Sequence, residues 1–348
     1  MKEVAVIFGG QSSEHEVSCK SAVNVINSMD KSKYNIHRVG ITKEGKWLFV
    51  KDTRSIEDGS WRDGTVTAIV SPDRGTHGLL FISGAQVREV YIDVAVPVLH
   101  GLYGEDGTIQ GLFELSGIPY VGSGVLASSV GMDKISTKVF VDKLGIRQAN
   151  YVTDIEKTTE NIDKTINEVE QKLGYPVFVK PSNAGSSQGV SKACDRAELK
   201  AAIVLAKEHD HRVLIEENIS GREIECAVLG GDEPKASRVG EILAAAEFYD
   251  YDAKYNNEES RTVINPEMAE DIKEQIRGNA VDIFKVLGGY GLSRVDFFVE
   301  HETNEVVFNE INTLPGFTSI SMYPMLWEDM GYSKAGLMDA LIETAFVR

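Results

Sequence analysis

Two short segments near the carboxyl end, Leu292 to Glu300 and Glu305 to Asn312, read as strands joined by a turn at His301 to Glu305. If Glu300 pairs with Val306, Asp296 stands opposite Glu310 and Arg294 opposite Asn312, with all four side chains on one face of the ribbon. Carboxylates facing one another across a ribbon repel unless a cation lies between them, and Asp, Glu and Asn oxygens are the hard donors that Mg²⁺ prefers. Pairing alone leaves two readings open, a cation site or two solvated acids on an open face. Arg294 on that face favours a site for phosphate.

The loop Gly185-Ser-Ser-Gln-Gly189 lies between two extended segments and resembles the tip of a hairpin. Its glycines, backbone N–H groups and the hydroxyls of Ser186 and Ser187 suit phosphate oxygens, although the same composition also makes an ordinary turn. It lacks the G-x-x-x-x-G-K-[ST] spacing of a P-loop, and the stretch FGGQSS lacks the G-x-G-x-x-G of a dinucleotide fold. Lys134 follows Met132-Asp133 in a helical segment, and Lys180 ends the apolar strand that enters the glycine loop, so both could neutralise phosphate charge. Glu14 and His100 each follow a predicted strand, where open α/β sheets take ligands. A satisfied core histidine is the other reading of His100, because no second His or Cys stands at metal-ligand spacing.

Three lobes would position these residues in an α/β chain with α+β character. Val4 to Phe8 reads as a buried strand leaving through Gly9-Gly10, and Ser13 with Glu16 fits a capping box for a helix bearing Ala22, Val25, Ile26 and Met29. A strand at Asn35 to Ile41, a polar stretch at Asp52 to Gly64 and an apolar run from Val90 to Leu99 complete a βαβ-type lobe over residues 1–124. Residues 125–212 form a second lobe, with helices at Val130 to Leu144 and Thr158 to Leu173 and a strand at Pro176 to Lys180. A third lobe, 213–348, holds strands Val213 to Glu217 and Glu223 to Leu229. It continues through a tyrosine-bearing stretch from Phe248 to Pro266, a helix at Ala269 to Leu287, the acidic ribbon and one terminal helix. The stretch from Phe248 has no clean period, and so long a loop in an enzyme reads as a lid.

A chain of 348 residues has room for two or three lobes with their own cores, and 42% hydrophobic with 26% charged residues is ordinary globular composition. A net charge of −17 argues against nucleic acid or an anionic membrane as a general partner. No segment has the length of a signal h-region or a bilayer span, and the three cysteines lack C-x-x-C spacing, so a cytoplasmic location with reduced thiols is expected.

These pieces, in this order, resemble the ATP-grasp superfamily and within it the D-alanine–D-alanine ligases. The matching stretches are FGGQSSEHEVS at 8–18, HGLYGEDGTIQG at 100–111, GIPYVGSG at 117–124, MDK at 132–134, VKPSNAGSSQGV at 179–190, FYDYDAKY at 248–255, SRVDFF at 293–298 and NEINTLPGFTSISMYP at 309–324. They run almost the whole length of the chain in collinear order.

The resemblance implies a nucleotide held between the central and carboxyl-terminal lobes, with Lys134, Lys180 and Lys254 on the ATP phosphates beside Ser186 and Ser187. Glu216 and Ile219 would lie at the adenine and Glu223 at the ribose. Asp296, Glu310 and Asn312 would hold two Mg²⁺ ions, for which Mn²⁺ is a substitute. It further implies that Glu14 binds the ammonium of the first D-alanine and that His100 and Glu105 line its subsite. Ser321, with Met322 beside it, would meet the carboxylate of the second. Arg294 and the Gly316 N–H would stabilise oxyanion charge, and Ser186, Tyr255 and Glu14 would latch the mobile loop.

The implied reaction makes D-alanyl-D-alanine for bacterial peptidoglycan through an acyl phosphate, in an enzyme that is usually a homodimer. The intact pair Lys254-Tyr255 points to peptide rather than ester formation. D-serine as second substrate is the alternative, and Ile320 stands where the family commonly has an aromatic residue or His.

Overall fold

A computed structural model describes residues 1–243 and 261–348. The apolar start of the chain forms β1 (Lys2–Gly9), whose last six residues are buried, and it lies parallel to β2 (Tyr34–Ile41) across the helix His15–Ser28. The chain then adds β3 (Trp47–Val50), β4 (Thr67–Val70), β5 (Gly78–Ser83), β6 (Gln86–Tyr91) and β7 (Val94–Val98). Together they make a seven-stranded sheet of order β6-β5-β4-β3-β2-β1-β7, in which β1 has parallel neighbours on both sides. Strand order reverses beside β1, so the crevice beyond its carboxyl end is a switch point where ligands bind in open sheets. Gly9, with φ +88°, makes the turn there, and a Cβ on it would stand 2.2 Å from the Ile41 carbonyl oxygen. No other residue fits.

Four strands form the middle sheet, in the order β10 (Ser191–Ala193), β9 (Val177–Pro181), β11 (Val213–Glu217) and β8 (Tyr151–Asp154). Pairing of β9 with β10 makes the glycine-rich segment a hairpin tip, as expected from the sequence. The third sheet is antiparallel throughout, in the order β14 (Arg261–Ile264), β13 (Lys235–Leu243), β12 (Gly221–Gly230), β15 (Gly291–Glu300) and β16 (Val306–Asn312). Side chains alternate along β15, and Val295, Phe297 and Val299 join Ile276, Ala280, Ile283 and Phe284 of the helix Glu270–Val286 in one core. Arg294 and Asp296 consequently face the other way.

Packing departs from the expected lobes at several points. Val213–Glu217 hydrogen-bonds between β9 and β8, so it stands in the middle sheet and not with the third. The helix expected at 130–144 is two helices, Val125–Met132 and Lys134–Asp142, because Asp133 turns extended and caps the second by accepting the Ser136 N–H. Their Val130 and Val141 pack into the core beneath the third sheet. The apolar run at 90–99 divides between β6 and β7, and the terminal helix is a pair, Met322–Asp329 and Lys334–Thr344. Tyr323, Trp327 and Leu341 of that pair share a core with Val6 and Val96 of the first sheet, which ties the two ends of the chain together.

The capping box at Ser13 and Glu16 does not form. Glu14 is the N-cap and makes no side-chain cap bond, Ser13 is exposed, and the Glu16 carboxylate is drawn away to Arg62 at 3.0 Å and Lys43 at 3.1 Å. Of the stretch Phe248 to Pro266, residues 261–264 are strand β14, while Lys254, Tyr255 and the rest through residue 260 lie outside the described residues. No helix of the described residues is long and apolar enough to cross a membrane.

Candidate active site

On the cleft face of the third sheet, Arg294 stands opposite Asn312 and Asp296 opposite Glu310, as the ribbon argument requires. The route to that register differs from the expected one. Val299, not Glu300, pairs with Val306, and a bulge between Asp296 and Phe297 inserts Asn309 and restores the pairing farther up. Bulges beside active sites re-aim side chains, and here Asn309 and Glu310 are both only partly buried in the cleft wall. The Arg294 guanidinium grips Asp296 with two hydrogen bonds, of 2.8 and 2.7 Å, and reaches Glu225 at 3.1 Å. Asn312 donates its amide to Asp296 at 3.0 Å.

Glu225 pairs with Asp296 across β12 and β15, so three acids stand in a row over three strands. The sequence reading missed Glu225, because the β12 register is set by a partner about seventy residues away. Burial opposes the charge on Arg294, but Asp296, Glu225 and Glu310 reverse this and hold its pKa well above the ordinary arginine value. Two carboxylates and a carboxamide on one ribbon face are hard oxygen donors that fit Mg²⁺ or Mn²⁺. Among the described residues no three His, Cys, Asp or Glu side chains converge to hold a metal unaided.

Across the cleft, Lys180 at the end of β9 points to the same wall, with Nζ 3.4 Å from Asn309 Oδ1 and 2.7 Å from Glu216. The other oxygen of Glu216 lies 2.6 Å from Lys138, a buried lysine absent from the sequence-based set. Burial would raise the Glu216 carboxyl, but Lys138 and Lys180 overcome that and hold its pKa at about 2. Its helical context, one turn after Lys134, was the available signal for Lys138. Glu216 was expected at the adenine; its carboxylate is occupied in joining the two lysines.

The Lys134 Nζ donates to the Ala184 carbonyl at 2.8 Å and supports the glycine loop from below. Ser186 and Ser187 at the loop tip have φ of +51° and +56°, and the Ser186 Oγ is buried with no hydrogen-bond partner among the described residues. A Cβ on Gly185 would stand 3.0 Å from Glu14 Oε2, so the loop tip rests against Glu14. Ile219 and Glu223 line the same cleft.

Glu14, His100 and Glu105 are all buried at the switch-point end of the first sheet. His100 and Glu105 border the cleft, but their hydrogen bonds go to backbone and, from His100 Nε2, to Ser21 Oγ at 3.5 Å. Glu105 accepts the N–H groups of Gly101 at 2.8 Å and Leu314 at 2.9 Å, and His100 Nδ1 lies 2.9 Å from the Leu314 carbonyl oxygen. Burial lowers the His100 pKa. Burial first, and then the nearby Glu14 charge, push Glu105 up to about 7.

A raised acid pKa favours folding below the unfolded value near 4.5, and that contribution is lost as pH climbs through 7. Denaturant melts of Glu105→Gln and the parent should therefore show the parent losing ground to the variant between pH 4.5 and 7, by on the order of 3 kcal/mol at most. A pH-independent difference would remove this assignment.

Gly316 and Ser321 meet on the remaining side: a Cβ on Gly316 would stand 2.9 Å from Ser321 Oγ, which accepts the Thr318 N–H at 2.9 Å. Met322 borders the cleft but is 3% exposed and packs against Gly240, so its side chain belongs mainly to the core. The whole cleft holds about 1200 Å³, and Glu14, Lys134, Lys180, Arg294, Glu310 and Ser321 all border it.

A hairpin loop from one antiparallel sheet facing an acidic ribbon on another, with the nucleotide-sized cleft between them, defines an ATP-grasp enzyme. The comparisons agree. Residues 3–123 match the family model described as D-ala D-ala ligase N-terminus, and residues 140–343 match D-ala D-ala ligase C-terminus. A D-alanine–D-alanine ligase of Acetivibrio thermocellus is 52% identical over 100% of this chain and 96% of its own length. Among solved structures, the VanG D-Ala:D-Ser ligase from Enterococcus faecalis superposes with a TM-score of 0.90 at 41% identity, covering 99% of each chain. The D-alanine–D-alanine ligase from Coxiella burnetii does so at 0.86 and 35%, covering 100% of this chain and 96% of that one. The chain belongs to the D-alanine–D-alanine ligase family and is an ATP-dependent ligase.

Proposed function

We propose that the protein joins two D-alanine molecules into D-alanyl-D-alanine through a D-alanyl phosphate, releasing ADP and phosphate, and so supplies the peptidoglycan of a bacterial cell wall. The observation that carries this reading is the meeting of two chemistries in one cleft. Arg294, Asp296, Glu310 and Asn312 face Lys180 and the glycine loop on the phosphate side, and Glu14 stands beside them to take an ammonium. In this reading the three lobes divide near residues 124 and 212, with the second division moved beyond Glu217 so that β11 stays with its partners.

The first D-alanine binds with its ammonium at Glu14, which aims its carboxylate at the γ-phosphorus of ATP. Lys134, Lys180 and Lys254, with the Ser186 and Ser187 loop, hold the phosphates, while Ile219 and Glu223 hold the nucleoside beside Glu216, whose carboxylate fixes Lys138 and Lys180. Carboxylate attack breaks the γ-phosphorus to β-oxygen bond and expels ADP, and the three lysines disperse the charge that would oppose it. Asp296, Glu310 and Asn312 would hold the Mg²⁺ ions, which supply further neutralisation of phosphate charge.

The second D-alanine, its carboxylate at Ser321, attacks the acyl carbon through its uncharged amine. Oxyanion charge then develops against Arg294 and the Gly316 N–H, and collapse expels phosphate. Water would destroy the acyl phosphate, so the stretch from Phe248 with Tyr255, closing through Ser186 and Glu14, serves to exclude it. The enzyme works in the cytoplasm on small molecules, as a homodimer.

A second reading, D-serine at the second position, is favoured by the likeness to the VanG D-Ala:D-Ser ligase. One competition assay separates them. With ATP, Mg²⁺, D-alanine and equal D-serine, mass analysis should find D-alanyl-D-alanine in excess, and a majority of D-alanyl-D-serine would replace the first reading with the second.

A further inference from the structure

After β16 the chain runs Thr313-Leu-Pro-Gly-Phe317, outside any regular element. Loop backbone of this kind ordinarily gives its polar groups to water. Here the groups on both sides of Gly316 are taken by side chains of the first sheet unit. The Leu314 N–H donates to Glu105 Oε1 at 2.9 Å, and the Leu314 carbonyl lies 2.9 Å from His100 Nδ1. The Phe317 N–H donates to Ser21 Oγ at 3.1 Å, and the Phe317 carbonyl accepts from Asn24 Nδ2 at 3.0 Å. Pro315 has no N–H, so the N–H between the two gripped residues is that of Gly316.

The four grips are linked. Facing a carbonyl oxygen, His100 Nδ1 must carry the ring proton, and burial keeps the ring neutral, which leaves Nε2 as an acceptor. Ser21 Oγ lies 3.5 Å from Nε2, so its hydroxyl can donate there while it accepts from Phe317. Ser21 and Asn24 stand one turn apart on the helix His15–Ser28, and Glu14 is the N-cap of that same helix.

We propose that Ser21, Asn24, His100 and Glu105 act as positioning residues that hold the Gly316 N–H at the reacting carboxyl. The proposal rests on the oxyanion role given to Gly316 above. One rigid helix then carries the ammonium site at its start and half of the grip on the oxyanion donor along its length. The span between the two ends of the first amino acid is fixed by the first sheet unit, whatever the middle and third sheets do as the cleft closes. His100 and Glu105 serve the first subsite through the loop they hold.

Two measurements on Ser21→Ala and Asn24→Ala test this. Amide hydrogen exchange of the ligand-free protein needs no substrate, and the peptide spanning 313–320 should exchange at least tenfold faster in each variant. Unchanged exchange in both would overturn the clamp even if the ligase reading stands. In steady-state assays with the amino acid that the parent ligates, kcat should fall about tenfold to a hundredfold, because a small displacement of a transition-state donor acts on the chemical step. The KM for ATP should stay within twofold, since neither side chain lines the cleft.

Faster exchange with kcat unchanged would show a grip without catalytic consequence and would refute the proposal. Loss of kcat and of ATP affinity together, with a lowered Tm, would assign the residues to general stability and also refute it. If buried Ser21→Ala does not fold, Asn24→Ala, on a half-buried helix position, carries both measurements alone. A parent without D-alanine ligation would instead refute the function reading and leave the exchange result to decide the clamp.

Discussion

Glu310→Gln is expected to reduce ligation turnover by about 10³-fold, on the order of 4 kcal/mol of barrier, while the folded protein keeps its Tm within a few degrees. Glu310 lies only partly buried on the edge strand β16, directly opposite Asp296, so removal of its charge relieves that repulsion while giving up attraction to Arg294 and Lys180, and the two changes offset one another. In the free protein its negative charge also offsets part of the buried positive charge of Arg294 and Lys180. It becomes useful to the reaction when cations and phosphate enter the cleft, because a neutral amide is a weaker ligand for a hard cation. Raising Mg²⁺ should recover part of the lost rate. Near-parent turnover in folded Glu310→Gln would remove the acidic ribbon from the chemistry.

Arg294→Ala should act on both stability and rate. The guanidinium satisfies Asp296 with two hydrogen bonds and meets Glu225 in an ion pair at 3.1 Å, and both acids are almost wholly buried at 2% and 4% exposure. Removing one partner of a buried ion pair costs about 3–5 kcal/mol, because the remaining charges lose their compensation. The fall in kcat should reach about 10²-fold or more from the lost oxyanion partner alone.

Arg294→Lys separates the two effects. A lysine can answer the acids as a point charge but cannot reproduce the fork, so much of the stability should return while the rate stays low. Denaturant midpoints and kcat measured on both variants check this. Equal recovery of rate and stability in the lysine variant would mean that only net charge matters at this position.

The acidic ribbon and the glycine hairpin were legible in the sequence because the residues of each lie close together along the chain. The pairing of Asp296 with Glu310 and of Arg294 with Asn312 follows from a short ribbon, and the glycine hairpin tip follows from strands on either side of it. Even there the ribbon register was reached from the wrong end. Pairing Glu300 with Val306 errs by one residue, and the Asn309 bulge cancels the error before Asp296. A bulge leaves no mark in a pattern of alternating residues when its extra residue is polar and faces a cleft.

What the sequence did not reveal depends on distant partners. Glu225 joins the acid row through the pairing of β12 with β15, and Lys138 meets Glu216 across separate elements. The assignment of Val213–Glu217 to the third lobe failed for the same reason, since an apolar strand does not encode which sheet will take it. Ser21 and Asn24 read as ordinary polar positions on an amphipathic helix. Only the return of residues 313–317 to that helix gives them work.

Transfer of oxygen from substrate to phosphate tests the central claim most directly. When both carboxylate oxygens of D-alanine carry ¹⁸O, attack on the γ-phosphorus and later expulsion of phosphate should leave one ¹⁸O in each phosphate released and one in each dipeptide carbonyl. Mass spectrometry of the phosphate after ligation with Mg²⁺ and unlabelled ATP should show one heavy oxygen per turnover. Phosphate free of ¹⁸O, with dipeptide still formed, would contradict the account.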